Sequence, residues 1–102
     1  MLIRKTETYK RWFHNLKDRQ ARMRIDARLR RLSDKDHLGD YKVLSDGVMY
    51  LRIDYGPGYR IYCAQQGAEI ILLLLGGDKR RESKDIEAAC KMARELKGEK
   101  HD

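Results

Sequence analysis

The chain has 102 residues, a length that suits one domain with a modest hydrophobic core. Its hydrophobic fraction of 41% argues against a disordered protein, and its longest uncharged apolar run, at positions 70–75, is too short to span a membrane. Lys and Arg outnumber Asp and Glu by 23 to 16, a formal net charge of +7. This excess favours a polyanionic partner, either nucleic acid or an acidic protein, although a surface charged only for solubility has the same composition.

The N-terminal third of the chain predicts a short edge strand at positions 1–5 and then two helices. Thr6 or Thr8 is a suitable N-cap for the first helix, and Asp18 for the second. No apolar signal-peptide segment precedes them, so we expect a cytoplasmic protein. Apolar side chains recur at helical spacing, first at Tyr9, Trp12, Phe13 and Leu16 and then at Ala21, Ile25, Leu29 and Leu32.

The second predicted helix is rich in arginine. These side chains can form a solvated face with local ion pairs, or a surface that follows phosphates or an acidic partner. Both interpretations stay open, because side chains distributed around a helix cannot all face one ligand. The arginines are Arg19, Arg22, Arg24, Arg28, Arg30 and Arg31, offset only by Asp26.

The rest of the chain predicts a sheet and a final helix. Strands are expected at positions 41–44, 48–55, 59–64 and 70–75, and Gly76-Gly77 is expected to end the last one. A basic loop follows, and Ser83 is a suitable cap for a helix that stops at Gly98, before a frayed tail. The buried face of this helix is predicted to be Ile86, Ala89, Cys90, Ala93 and Leu96.

In the central hairpin, apolar side chains alternate with charged and aromatic ones, and this alternation predicts a site on one face of the sheet. If Gly56-Pro57-Gly58 is a three-residue loop, the predicted pairs are Tyr55 with Tyr59, Asp54 with Arg60 and Arg52 with Tyr62. One sheet face is then core. The other is open and presents Tyr50, Arg52, Arg60 and Tyr62, with the basic turn at positions 79–81 approaching Arg60.

Guanidinium groups interleaved with tyrosine rings suit single-stranded RNA, because the former hold phosphates and the latter stack on bases. The alternative is an ordinary solvated face with an Asp54–Arg60 cross-strand pair. The two cysteines, Cys63 and Cys90, match no zinc spacing and are expected to be buried free thiols. No paired histidines and no phosphate-binding loop are present, so we expect neither a metal nor a cofactor.

The segment GDYKVLSDGVMYLRIDYGPGYRIYCAQQGAEIILLLLGGDKRRESKDIEAA resembles the RelE/ParE superfamily of type II toxin–antitoxin toxins. Within it the chain is most similar to the HigB-like branch, often called addiction module killer proteins. The resemblance rests on the patterns L-R-I-x-Y-G-P-G-Y-R-I-Y, L-L-L-x-G-G-D-K and D-I-x-x-A, and it extends over nearly the whole chain, including the arginine-rich helix.

The resemblance implies a single α+β domain over residues 1–102: two N-terminal helices packed on a twisted, mainly antiparallel sheet, with a C-terminal helix. It implies a metal-independent, ribosome-dependent endoribonuclease that cleaves mRNA and arrests translation in the cytoplasm. The implied partners are the ribosome, mRNA and a cognate antitoxin, which in this family is often a helix-turn-helix DNA-binding protein encoded beside the toxin. DNA is then contacted only through the antitoxin complex, and no membrane is involved.

The resemblance also implies site residues. The catalytic candidates are Arg52, Arg60, Lys79 and Arg80, and the RNA-binding candidates are Tyr50, Tyr62, Arg81 and Lys84. In one respect the chain departs from the family: Ile86 stands where several relatives carry a tyrosine or histidine, and His101 lies too far along the tail to replace it.

No general base is evident, because arginine stays protonated at neutral pH. Lys79, Asp54, a tyrosine or a ribosomal group could serve. Two other functions therefore remain open: a ParE-like DNA gyrase inhibitor without nuclease activity, and a non-toxic module that binds RNA or protein.

Overall fold

The computed structural model describes residues 1–99 as a five-stranded sheet between helices, which confirms the expected α+β class. His101, which was judged too distant to serve the site, and the end of the tail fall outside the described residues. The elements are β1 (Leu2–Lys5), α1 (Glu7–His14), α2 (Arg19–Lys35), β2 (Tyr41–Val43), β3 (Val48–Ile53), β4 (Tyr59–Gln66), β5 (Ile70–Asp78), a 3₁₀ turn (Lys79–Arg81) and α3 (Glu82–Glu99).

The strands lie in the order β1-β5-β4-β3-β2, and only the edge pair β1–β5 is parallel. A mainly antiparallel sheet and an edge strand at the N-terminus are therefore confirmed. Because β4 and β5 run antiparallel, the end of β5 lies beside the start of β4. The Lys79 amide donates to the Gly58 carbonyl at 2.8 Å, so the basic turn does lie at the hairpin end of the sheet.

The N-terminal helices begin where their caps predict. The Thr6 hydroxyl accepts from the Tyr9 amide at 3.0 Å, and Asp18 accepts from the amides of Gln20 and Ala21. Thr6 also donates to the Leu74 carbonyl at 2.6 Å. One threonine thus ends β1, caps α1 and binds the two to β5.

Both faces of the sheet are covered, and here the sequence interpretation was wrong. The helices α1 and α2 pack on one face as expected, but α3 packs on the other, which had been taken as open. The predicted apolar face of α3 therefore packs against this second face of the sheet. The first core includes Tyr9, Ile25, Leu29, Leu51, Ile61, Cys63, Ile71 and Leu73, and the second includes Val48, Tyr50, Tyr62, Leu74, Leu75, Ala89, Cys90 and Ala93.

Gly76 and Gly77 lie inside β5 and do not end it, which corrects a second expectation. Leu75 pairs with Tyr62 and Leu73 with Cys63, so Leu74 is the extra residue of a β-bulge. The two glycines that follow face opposite sides of the sheet. A Cβ atom on Gly76 would collide with the Trp12 ring of α1, and one on Gly77 with the Asp85 carboxylate of α3. The missing side chains let both helices close onto the same strand.

The boundaries of α3 also differ from expectation. The helix begins at Glu82, so Ser83 is not its cap; Asp78 instead caps the preceding 3₁₀ turn by accepting from the Arg80 amide at 2.9 Å. Gly98 is helical and does not stop α3, which reaches Glu99. None of the helices in the described part of the chain combines the length and apolarity that a membrane crossing requires.

The close approach at Gly76 predicts a specific sensitivity to side-chain volume. We expect Gly76→Ala to lower the free energy of unfolding by about 1–3 kcal/mol, because an added methyl group must displace the Trp12 ring. Gly98→Ala is the matched control: no atom lies within 4 Å of its Cβ position, and alanine favours helix, so that variant should be neutral or stabilised by up to about 1 kcal/mol. Urea unfolding measures both, and equal effects would contradict the packing account.

Candidate functional site

The β3–β4 hairpin carries the four predicted side chains on one face of the sheet, but its two strands pair in a different register from the predicted one. Arg52 lies opposite Arg60, and Tyr50 lies opposite Tyr62, so the predicted pairs were wrong by two residues. The reason is a longer loop: the chain between the strands spans positions 54–58. Side chains alternate with period two, so an even shift leaves them on the same side of the sheet. The structure therefore does bring the four side chains together.

Arg60 lies at the centre of this face and is buried. Its Nε atom is 2.7 Å from Oε1 of Glu82, the first residue of α3. Its guanidinium carbon lies 5.3 Å from the centre of the Tyr50 ring, and Nη1 donates to the Gly58 carbonyl at 3.4 Å. The proposed Asp54–Arg60 pair is absent among the described residues, and Glu82 takes its place. Only 7% of Arg60 is exposed, so in this conformation its charge is already engaged.

Arg52 forms a second ion pair beside the first. Its Nε and Nη2 atoms donate to the two carboxylate oxygens of Asp40 at 3.1 and 2.9 Å, the two-point geometry that suits a guanidinium group. The hydrogen bonds from Arg52 lower the pKa of Asp40 below its ordinary value. The same hydrogen bonds to Asp40 raise the pKa of Arg52, and the negative charges of Asp40 and Glu82 raise it further. Positive and negative groups thus alternate at this end of the sheet.

Tyr50 and Tyr62 do not reach solvent. They are 2% and 0% exposed, and their rings meet edge to face at 5.5 Å beneath α3. Burial raises the pKa of Tyr62 above its ordinary value. Neither ring can stack on a base in this conformation. The expectation of an open aromatic surface is therefore corrected, since the alternation showed which side the rings share but not what covers it.

Exposed cations lie on the turn that meets the hairpin end of the sheet. Lys79, Arg80 and Arg81 of the 3₁₀ turn face solvent. Lys84 of α3 is also exposed, but none of its contacts among the described residues joins it to the Arg60–Glu82 pair. Arg80 is paired with Asp78 at 3.0 Å, and the Arg81 Nε atom lies 3.9 Å from Asp85. We call the three cations of the turn, together with Arg52, the cationic rim; all four are exposed, although Arg52, Arg80 and Arg81 are each paired with a carboxylate.

The arginines of α2 have different contacts, and the buried Arg28 fits neither interpretation of this helix. Both interpretations stay open for the arginines that face solvent. Arg28 is buried and donates to the carbonyls of Leu38, Asp40 and Arg52, which fixes the loop before β2 against β3. Arg24 lies over the Tyr55 ring at 4.5 Å. The solvent-facing arginines border a groove of about 550 Å³ lined by Arg24, Arg28, Arg30, Arg31, Lys35, Asp34, Asp54, Ala27 and Ile53.

Sequence reasoning missed two acidic residues of the site. Glu82 was not among the predicted site residues, and only its contact with Arg60 reveals it. Asp85 was not among them either; it is packed against Gly77, and its Oδ2 atom has no hydrogen-bond partner among the described residues. Burial raises the pKa of Asp85, and the nearby Arg81 partly offsets the shift. The two adjacent glycines were the available signal, because they mark where another group approaches the strand.

The site contains no evident metal centre. Within residues 1–99, no three His, Cys, Asp or Glu side chains are grouped so that they could hold a metal ion. Both cysteines are buried free thiols, as expected.

Comparison with known proteins gives one relative. A Haemophilus influenzae protein, itself uncharacterized, is 43% identical to the chain over 94 residues, which is 92% of this chain and 94% of that protein. No protein-family model matches the chain.

The burial of Asp85 predicts a pH dependence of stability. The pKa of this carboxyl is raised in the folded state, so its stabilising contribution is complete below about pH 3.8 and is lost as the pH rises through the folded value. Asparagine cannot ionise. We therefore expect the free energy of unfolding of Asp85→Asn, minus that of the unsubstituted protein, to increase between about pH 3 and pH 7. Urea unfolding across this range measures the difference, and a constant difference would contradict the assignment.

Proposed function

We propose that this chain, which belongs to the same family as the Haemophilus influenzae protein, is the toxin of a type II toxin–antitoxin system. We further propose that it is a ribosome-dependent endoribonuclease that cleaves mRNA in the cytoplasm without a metal. The observation that carries the proposal is the cationic rim beside the Arg60–Glu82 pair, at one end of three adjacent strands. The resemblance to RelE/ParE toxins supports it, because the residues of that resemblance converge there.

The proposed chemistry is positioning and charge stabilisation. The rim neutralises phosphate oxygens and holds one phosphodiester in place, while the ribosome presents the mRNA. Arg52, Arg80 and Arg81 suit this role because their planar guanidinium groups match phosphate geometry and stay charged. The catalytic candidates Lys79 and Arg80 lie directly after β5, where they meet the hairpin end.

The proposed protein partner is an antitoxin with an acidic segment that covers the rim. The formal net charge of +7 favours such a partner, and the association should weaken as salt is added. The antitoxin is expected to be the DNA-binding component, often of helix-turn-helix type and encoded beside the toxin.

A ParE-like gyrase inhibitor is the second candidate, and a specific observation favours it. Tyr50 and Tyr62 are covered by α3, and Ile86, at the position where relatives place an aromatic or histidine, packs against the same core. The described site thus lacks an exposed ring to stack on RNA. A protein that inhibits by binding alone would not need one.

The test is induction of the protein in a bacterium, with mapping of mRNA 5′ ends. We expect new codon-aligned ends and growth arrest. The double variant Arg80→Gln, Arg81→Gln should reduce these ends at least tenfold, because it removes two exposed phosphate contacts. Lys91→Gln, Lys97→Gln is the control: it removes the same charge from exposed positions farther along α3. Arrest with intact mRNA and a DNA-damage response would favour gyrase inhibition, and absence of arrest would favour a non-toxic binding module.

A further inference from the structure

The Arg60–Glu82 pair has an asymmetry that suggests a role for its acidic member. The Arg60 side chain is 8% exposed, whereas that of Glu82 is 32% exposed. A ligand at the cationic rim therefore meets the carboxylate before it meets the guanidinium group. Arg60 lies behind Glu82, between the Tyr50 ring and the Gly58 carbonyl, and holds the carboxylate from its buried side.

We propose that Glu82 is the general base of the cleavage reaction and that Arg60 positions it. This inference rests on the proposed endoribonuclease function and supplies the group that the sequence did not. It makes Arg60, a catalytic candidate from the resemblance, a positioning residue, because its guanidinium group is enclosed. The phosphate contacts then belong to the exposed rim.

The other candidates for the base fit less well. Tyr50 and Tyr62 are buried beneath α3. Asp40 is held at both oxygens by Arg52. Asp85 lies beside Arg81 but is only 7% exposed and is packed against Gly77, so its carboxylate is enclosed.

The two remaining candidates from the sequence also fail. The exposed Lys79 side chain carries hydrogen-bond donors and no acceptor. Asp54 is exposed in the hairpin loop and lines the groove beside α2, not the rim. Among the candidates in residues 1–99, Glu82 combines a partly exposed carboxylate with contact to the central arginine through Oε1.

The cleavage step requires no reagent other than water. Glu82 takes the proton of a ribose 2′-hydroxyl, and the 2′-oxygen forms a bond to the adjacent phosphorus. The bond from phosphorus to the 5′-oxygen breaks, and that oxygen keeps the electron pair and takes a proton from water. The products are a 2′,3′-cyclic phosphate and a 5′-hydroxyl. A positioned base of this kind contributes about 10²–10⁴-fold.

The test is cleavage of mRNA on ribosomes by purified variants. We expect Glu82→Gln, which keeps the size of the side chain but cannot accept the proton, to cleave at least 100-fold more slowly and to bind ribosomes within about twofold of the unsubstituted protein. Glu87→Gln is the matched control, because Glu87 is an exposed glutamate on the same helix outside the site, and it should cleave normally.

Chemical rescue separates catalysis from a purely structural role. Sodium formate should raise the cleavage rate of Glu82→Ala at least tenfold, because a small carboxylate can occupy the vacated space. Sodium chloride at equal ionic strength should not raise it. A loss without rescue would overturn the inference and leave Glu82 as a structural partner of Arg60. Normal cleavage by Glu82→Gln would overturn the inference alone. Absence of cleavage by the unsubstituted protein would overturn the proposed function and the inference with it.

Discussion

The close contact of two helices with the end of β5 determines most of what surrounds the site. Gly76 accommodates Trp12 on one face of the sheet, and Gly77 accommodates Asp85 on the other. Interiors are packed too densely for either helix to shift outward without losing contacts along its length. The contact at Gly77 fixes the first turn of α3, and this turn carries Glu82 over Arg60. The same placement lays the rest of α3 over Tyr50 and Tyr62. Because Gly76 and Gly77 have no side chains, the helices can pack close to β5, and this packing covers the second core and brings Glu82 to Arg60.

The two buried arginines of the fold are satisfied in different ways. A charge removed from water needs partners that replace its hydration. Arg28 finds three backbone carbonyls, so it serves the loop and carries no selective chemistry. Arg60 finds a carboxylate, an aromatic face and one carbonyl. A carboxylate can take up a proton and carbonyls cannot, so of the two arrangements only the one at Arg60 can take part in acid–base chemistry.

Much of the fold was predictable because its signals are local. The caps Thr6 and Asp18, the apolar helix stripes and the alternation of β3 and β4 each follow from a few neighbouring residues. Alternation gives the side of the sheet but not the offset between strands, so Arg52 and Arg60 were placed on the right face in the wrong pairing. Glycine in a strand is ambiguous between an end and a close approach, and the choice depends on helices distant in sequence. The acidic member of the site was missed for the same reason, since Glu82 has a role only through a contact 22 positions away.

Although the protein is basic, the ion pairs at the centre of the candidate site carry almost no net charge. Asp40 offsets Arg52, and Glu82 offsets Arg60, so these four groups together add no net charge. The excess of cations therefore lies elsewhere, on the solvent side of α2 and on the 3₁₀ turn. Long-range attraction of an anionic partner depends on this outer charge. The inner pairs respond only to groups that come within contact distance, because opposite charges so close together cancel at longer range. Under the proposed function, attraction of the partner and cleavage would depend on different residues, so substitutions can address them separately.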